Sequence, residues 1–110
     1  MTSRKSAGEE LVASLTAGLA EGVEWDEREV HLLAQIAAVT DRNTMLGELF
    51  EAEMAKPERS TRRITEVAGE IRQGEMSVAR MMALLTPDPD TRVKSARHQA
   101  AANARWRGAS

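Results

Sequence analysis

The side chains best suited to a chemical role lie near the end of the chain. Residues 91–110 hold five Lys and Arg and no Asp or Glu. Lys94, Arg97, His98, Arg105 and Arg107 suit a phosphate backbone, because each cation that meets a phosphate releases a condensed counterion. Trp106, between two arginines, can stack on a base or insert into a pocket of a protein partner. As a helix, this stretch would place Lys94, Arg97, His98, Ala101 and Arg105 on one face. The plainer alternative is a solvated tail. A second cationic group, Arg59, Arg62 and Arg63, is flanked by Glu58 and Glu66, which reads as pairing along a helix surface.

The remaining residue types point away from catalysis. The only histidines, His31 and His98, stand far apart and in no metal-ligand spacing. Glu27 and His31 are one helical turn apart and read as a surface ion pair. With 0 Cys, thiolate nucleophiles, zinc thiolates and disulfides are all excluded. No Gly-rich loop precedes a helix, and no Ser or Thr has a His–carboxylate pair in sight. Met76, Met81 and Met82 fall at helical spacing, as core residues do. The expectation is a non-enzyme with no catalytic residue, no metal and no cofactor.

The elements that must carry the cations follow from composition and periodicity. A chain of 110 residues allows one small domain and a tail, and at that size association is a natural way to bury more surface. One Phe, two Trp and no Tyr disfavour a β-sandwich or barrel. No apolar run approaches the roughly 20 residues of a membrane span, and the start lacks a secretory apolar stretch, so no membrane partner and a cytoplasmic setting are expected. The net charge of −2 conceals a split: all 17 acids and 10 of the 15 Lys and Arg lie within 1–90, which makes an acidic body and a basic tail.

The pattern predicts three helices. The first runs from Ser6, capped with Glu9, to about Gly22, with a stripe of Leu11, Leu15 and Leu19. Gly8 and Gly18 lower its propensity, so it needs tertiary support. The second starts at Asp26, where Glu29 completes a capping box and Trp25 and Val30 take the positions of a hydrophobic staple. It extends towards Pro57, about 40 Å at 1.5 Å per residue. Its seam is Leu32, Ile36, Val39, Leu46 and Phe50, with Asn43 in the gap, in steps of four and three. The third runs from Ser60 to before Pro87, with Ile64, Val67, Ile71, Val78, Met81 and Leu85, and Gly74 in the gap. The short connector implies antiparallel neighbours, and the register places Asn43 opposite Gly74. The open end (Val30, Leu32, Leu33, Ile36; Val78, Met81, Met82, Leu84, Leu85) is wider than a two-helix seam needs. The first helix and a neighbouring subunit are its expected covers. Residues 1–25 thus form an N-terminal helix, 26–86 a helical hairpin and 87–110 a basic tail behind a Pro-Asp-Pro-Asp spacer. The tail is expected to be disordered when free and helical when bound.

Three stretches, EWDEREVHLL, EAEMAKPERSTRRITEVAGEIRQGEMSVARMM and KSARHQAAANARW, resemble the small terminase subunits of actinobacterial phages and prophages. The resemblance covers about residues 10–107 and rests on helix patterns. It implies a non-catalytic DNA-packaging factor that recognises double-stranded viral DNA, assembles as a homo-oligomeric ring of helical hairpins and recruits the large ATPase–nuclease subunit in the cytoplasm of the bacterial host. The open end would then form part of the ring interface. Many members carry a separate N-terminal helix-turn-helix; here only one helix precedes the hairpin, so DNA contact falls to the basic tail or the Arg59–Arg63 edge. The full expectation is an all-α, ring-forming protein. The alternatives are a helical adaptor or structural phage protein without DNA contact, or a small dimeric DNA-binding regulator.

Overall fold

Each helix of this chain begins where a side-chain oxygen takes up its unpaired amides. The computed structural model describes residues 4–85. Within them the chain is all-helical: α1 spans Ala7–Ala17, α2 Glu27–Met54 and α3 Thr61–Ala83. At α1, Ser6 Oγ accepts the Glu9 N–H at 3.1 Å and the Glu9 carboxylate reaches back to the Ser6 N–H at 3.5 Å. At α2, Asp26 and Glu29 form the same reciprocal pair at 2.7 and 3.1 Å. Each satisfies two amides that the helix itself cannot.

The first helix is shorter than its apolar stripe suggests. It closes at Gly18, whose N–H bonds the Ser14 and Leu15 carbonyls, and the chain turns at Gly22 with φ +80°. Leu19 therefore lies in the loop. That loop folds back: Trp25 Nε1 donates to Thr16 Oγ1 at 2.9 Å, and the indole packs on the core. Val30 stays 54% exposed, so Trp25 supplies the burial at this helix start.

Hydrogen bonds at three levels show α3 returning along α2. Glu53 meets Ser60 at the turn, Asn43 Nδ2 donates to the Ile71 carbonyl at 3.0 Å midway, and Arg28 Nη2 donates to the Leu84 carbonyl at 3.2 Å at the far end. Asn43 lies directly over Gly74, where a Cβ would strike its carboxamide. A polar side chain across from a residue with none is a pairing that holds register.

The core sits at one end. Leu33, Ile36 and Leu85 are buried, and Leu11, Val12, Leu15, Trp25, Leu32, Val78, Met81 and Met82 pack around them. Thus α1 and Trp25 cover most of the open end, leaving Val30 and Leu84 exposed. The approach of α1 is close enough that Gly8 rests on the backbone of Ala37, and its N–H donates to Asp41 Oδ1 at 2.8 Å. Towards the turn, Val39, Leu46, Phe50, Ile64, Val67 and Ile71 are all half-buried. Two helices alone cannot enclose those side chains.

Candidate functional site

The tail residues Lys94, Arg97, His98, Arg105, Trp106 and Arg107 lie outside the described residues. The second cationic group lies inside them, and its geometry defines its role. Ser60 caps α3 by accepting the Arg63 N–H at 3.2 Å. Position N3, where a capping box has Glu or Gln, is Arg63, so the Ser60 amide needs another acceptor. Glu53, in the last turn of α2, supplies it: Oε2 accepts the Ser60 N–H at 3.0 Å, while Oε1 takes Lys56 Nζ at 3.1 Å and faces Arg63 Nε at 3.8 Å. The Ser60 amide, then the Lys56 hydrogen bond and the two cations, hold the Glu53 carboxyl below its ordinary range, against an opposing push from burial. Arg62 pairs with Glu66 at 3.1 Å, and Arg59 reaches the Met54 carbonyl at 3.5 Å. Glu53 with Lys56 and Arg63 therefore holds the turn closed, whereas Arg62 pairs along the exposed face of α3.

The expected Glu27–His31 ion pair does not form; both side chains are exposed and no contact joins them. On an open helix face such a pair is too weak to hold two long side chains in one geometry. Among the described residues no three His, Asp or Glu gather as a metal site, and no helix is long and apolar enough to cross a membrane.

Two apolar surfaces remain. The first is a groove of about 460 Å³ between α2 and α3, just beyond the start of α1. Leu11, Thr40, Thr44, Ile71, Val78 and Met82 line it, with Glu75 at its edge. The second is a stripe along the outer side of α2: Ala38, Met45, Leu49 and Ala52 share a face, all exposed, Met45 at 64% and Leu49 at 57%.

The Glu53 clamp was readable from one signal: Ser60 is a strong cap, yet no acid follows at N3. The stripe was hidden because Met45 and Leu49 lie off the heptad seam. Gly8 looked like a weakness of the first helix and proves to be its docking point. Comparison with protein-family models, curated proteins and solved structures finds no match for this chain.

Proposed function

We propose that this protein is the non-catalytic small subunit of a phage terminase. It assembles through its long helices and engages double-stranded viral DNA and the large ATPase–nuclease subunit. Three stretches of resemblance support the reading, and one physical observation carries it: an exposed apolar stripe, Met45 and Leu49 with Ala38 and Ala52, runs along the outer side of α2. Completing the burial of Met45 and Leu49, 64% and 57% exposed in the single chain, would add about 1–2 kcal/mol each, so a contact through that stripe, repeated around a closed oligomer, offsets the thin core.

The body is acidic and its turn-end cations face carboxylates or a carbonyl of the body, so the tail is assigned the DNA contact. Lys94, Arg97, His98, Arg105 and Arg107 meet phosphates, and Trp106 anchors on a base or on the large subunit. Each contact is weak, and assembly multiplies them. The acidic body also favours a second reading, an adaptor whose tail meets only protein.

Light scattering on the full chain and on M45E/L49E, followed by DNA binding over a salt series, tests both parts. A multi-subunit mass that falls in the variant is expected. So is a log–log salt slope that drops by about 2 in R105A/R107A, near 0.9 per lost phosphate contact. A monomer or dimer of the full chain overturns the packaging role. An oligomer whose DNA binding is absent or indifferent to salt leaves the adaptor.

A further inference from the structure

We propose that the groove between α2 and α3 is the docking site of the basic segment 94–107 of the same chain. The docking does not rest on the proposed DNA contact, but it draws on the same cations and so describes the chain without DNA. The groove continues the path of α1: α1 covers the core end of the long pair and stops at Gly8, and the groove opens beside Leu11. Beyond that point Thr44 is exposed and Ile71 is half-buried, with no third helix over them among the described residues.

The occupant is argued from charge, reach and size. Glu75 stands at the groove, and Glu48 and Glu51 follow Thr44 on the same face of α2, one and two turns on. None of the three carboxylates has an ion-pair partner among the described residues. The segment 94–107 carries Lys94, Arg97, Arg105 and Arg107 and no acid. Leu85 is buried beside the core, and the groove's near wall, Met82, lies one turn before it. Residues 86–93 can span about 26 Å when extended, ample to reverse direction there. A helix over 94–107 is about 21 Å long, the same rise as α3 from Met82 back to Ala68. Ala96, Ala100 and Ala104 would form a narrow stripe that suits a groove walled by Thr40, Thr44 and Ala79.

The chain has no Cys, so Ala102→Cys, on the helix face opposite the Ala96–Ala100–Ala104 stripe, gives a unique attachment point for a nitroxide in the full-length protein. With Ile and Met methyl groups labelled, the Ile71 methyl signal should broaden severalfold at low salt, and more than those of Met45 and Met76. The effect should vanish in about 1 M salt, where the Debye length falls to about 3 Å, and weaken in Glu75→Lys. An unchanged Ile71 signal, or broadening indifferent to both salt and E75K, overturns the docking. Broadening only when labelled and nitroxide-bearing chains are mixed overturns the same-chain assignment in favour of a neighbour's tail. DNA binding that persists while Ile71 is unaffected separates failure of this proposal from failure of the packaging role.

Discussion

Replacing Gly8 with Ala tests whether α1 is docked as described. On an isolated helix Ala is favoured over Gly by about 1 kcal/mol. In the folded protein the added Cβ would fall inside contact distance of the Ala37 backbone carbonyl, carbonyl carbon and Cα. Backbone cannot swing aside as a side-chain end can, so α1 must shift away from α2. Overpacking of that kind costs about 1–3 kcal/mol. The shift also stretches the 2.8 Å Gly8–Asp41 hydrogen bond, a loss of about 0.5–1.5 kcal/mol. Against the propensity gain, the net change is a destabilisation of about 1–3 kcal/mol.

Gly69 is the control. It also lies within a helix, but a Cβ there meets nothing within 4 Å, so Gly69→Ala should stabilise by up to about 1 kcal/mol. Both variants are measured by urea denaturation at one protein concentration in a Trp106→Phe background, where Trp25 is the only indole. Trp25 packs on the core beside α1 and bonds Thr16, so its emission reports α1 docking while circular dichroism reports the whole. With m near 1 kcal/mol/M, the midpoint should fall by about 1–3 M for Gly8→Ala and rise by up to about 1 M for Gly69→Ala. A stabilised Gly8→Ala variant would refute the close approach of α1 to α2.

Gly74→Ala should destabilise the protein by up to about 2 kcal/mol, the overpacking of its Cβ against the hydrogen-bonded Asn43 carboxamide less about 1 kcal/mol of helix propensity. In an Asn43→Ala background the same change should become neutral or favourable. A double-mutant cycle without coupling would show that the two residues do not face each other. Glu53→Gln should destabilise at neutral pH. The carboxyl is held below its ordinary range in the folded chain, so its contribution is present above the unfolded pKa and is lost as pH falls through the folded one. The gap between wild type and variant should close in acid. A gap independent of pH across urea melts from neutral to acid would mean that the carboxylate charge does not clamp the turn.

The helices were legible because their starts are written in side chains: Ser6 with Glu9, Asp26 with Glu29, and Ser60 each end a stretch of loop with an acceptor for free amides. Their ends were less so. Gly22 looked like the stop of the first helix because it follows Leu19, yet the chain leaves the helix at Gly18 and uses Gly22 for a left-handed turn. Side-chain periodicity also identified the seam, but it cannot tell a seam that is enclosed from one that is half open. That depends on how far α1 extends along the long pair. Burial of Glu53 was invisible for a related reason: an acid near a helix end reads as solvated unless the next helix start is examined for the amide it leaves unpaired.

The division of labour along α2 and α3 follows from a mismatch of lengths. The long helices run for 28 and 23 residues, and α1 for 11. A third helix of that length encloses one end and leaves the other as a two-helix ribbon with apolar flanks. Such a ribbon rarely stands alone in water, since each half-exposed side chain forgoes part of its transfer free energy. On the two proposals above, the covers lie on different sides: another chain against Met45 and Leu49, and the chain's own basic segment against the Glu75 groove. The two do not compete for surface, because Thr44 faces the groove while Met45 and Leu49 face outward. The stripe variant M45E/L49E should therefore change mass without changing the Ile71 signal, and Glu75→Lys should do the reverse. If either variant altered both readouts, a single surface would be serving both covers.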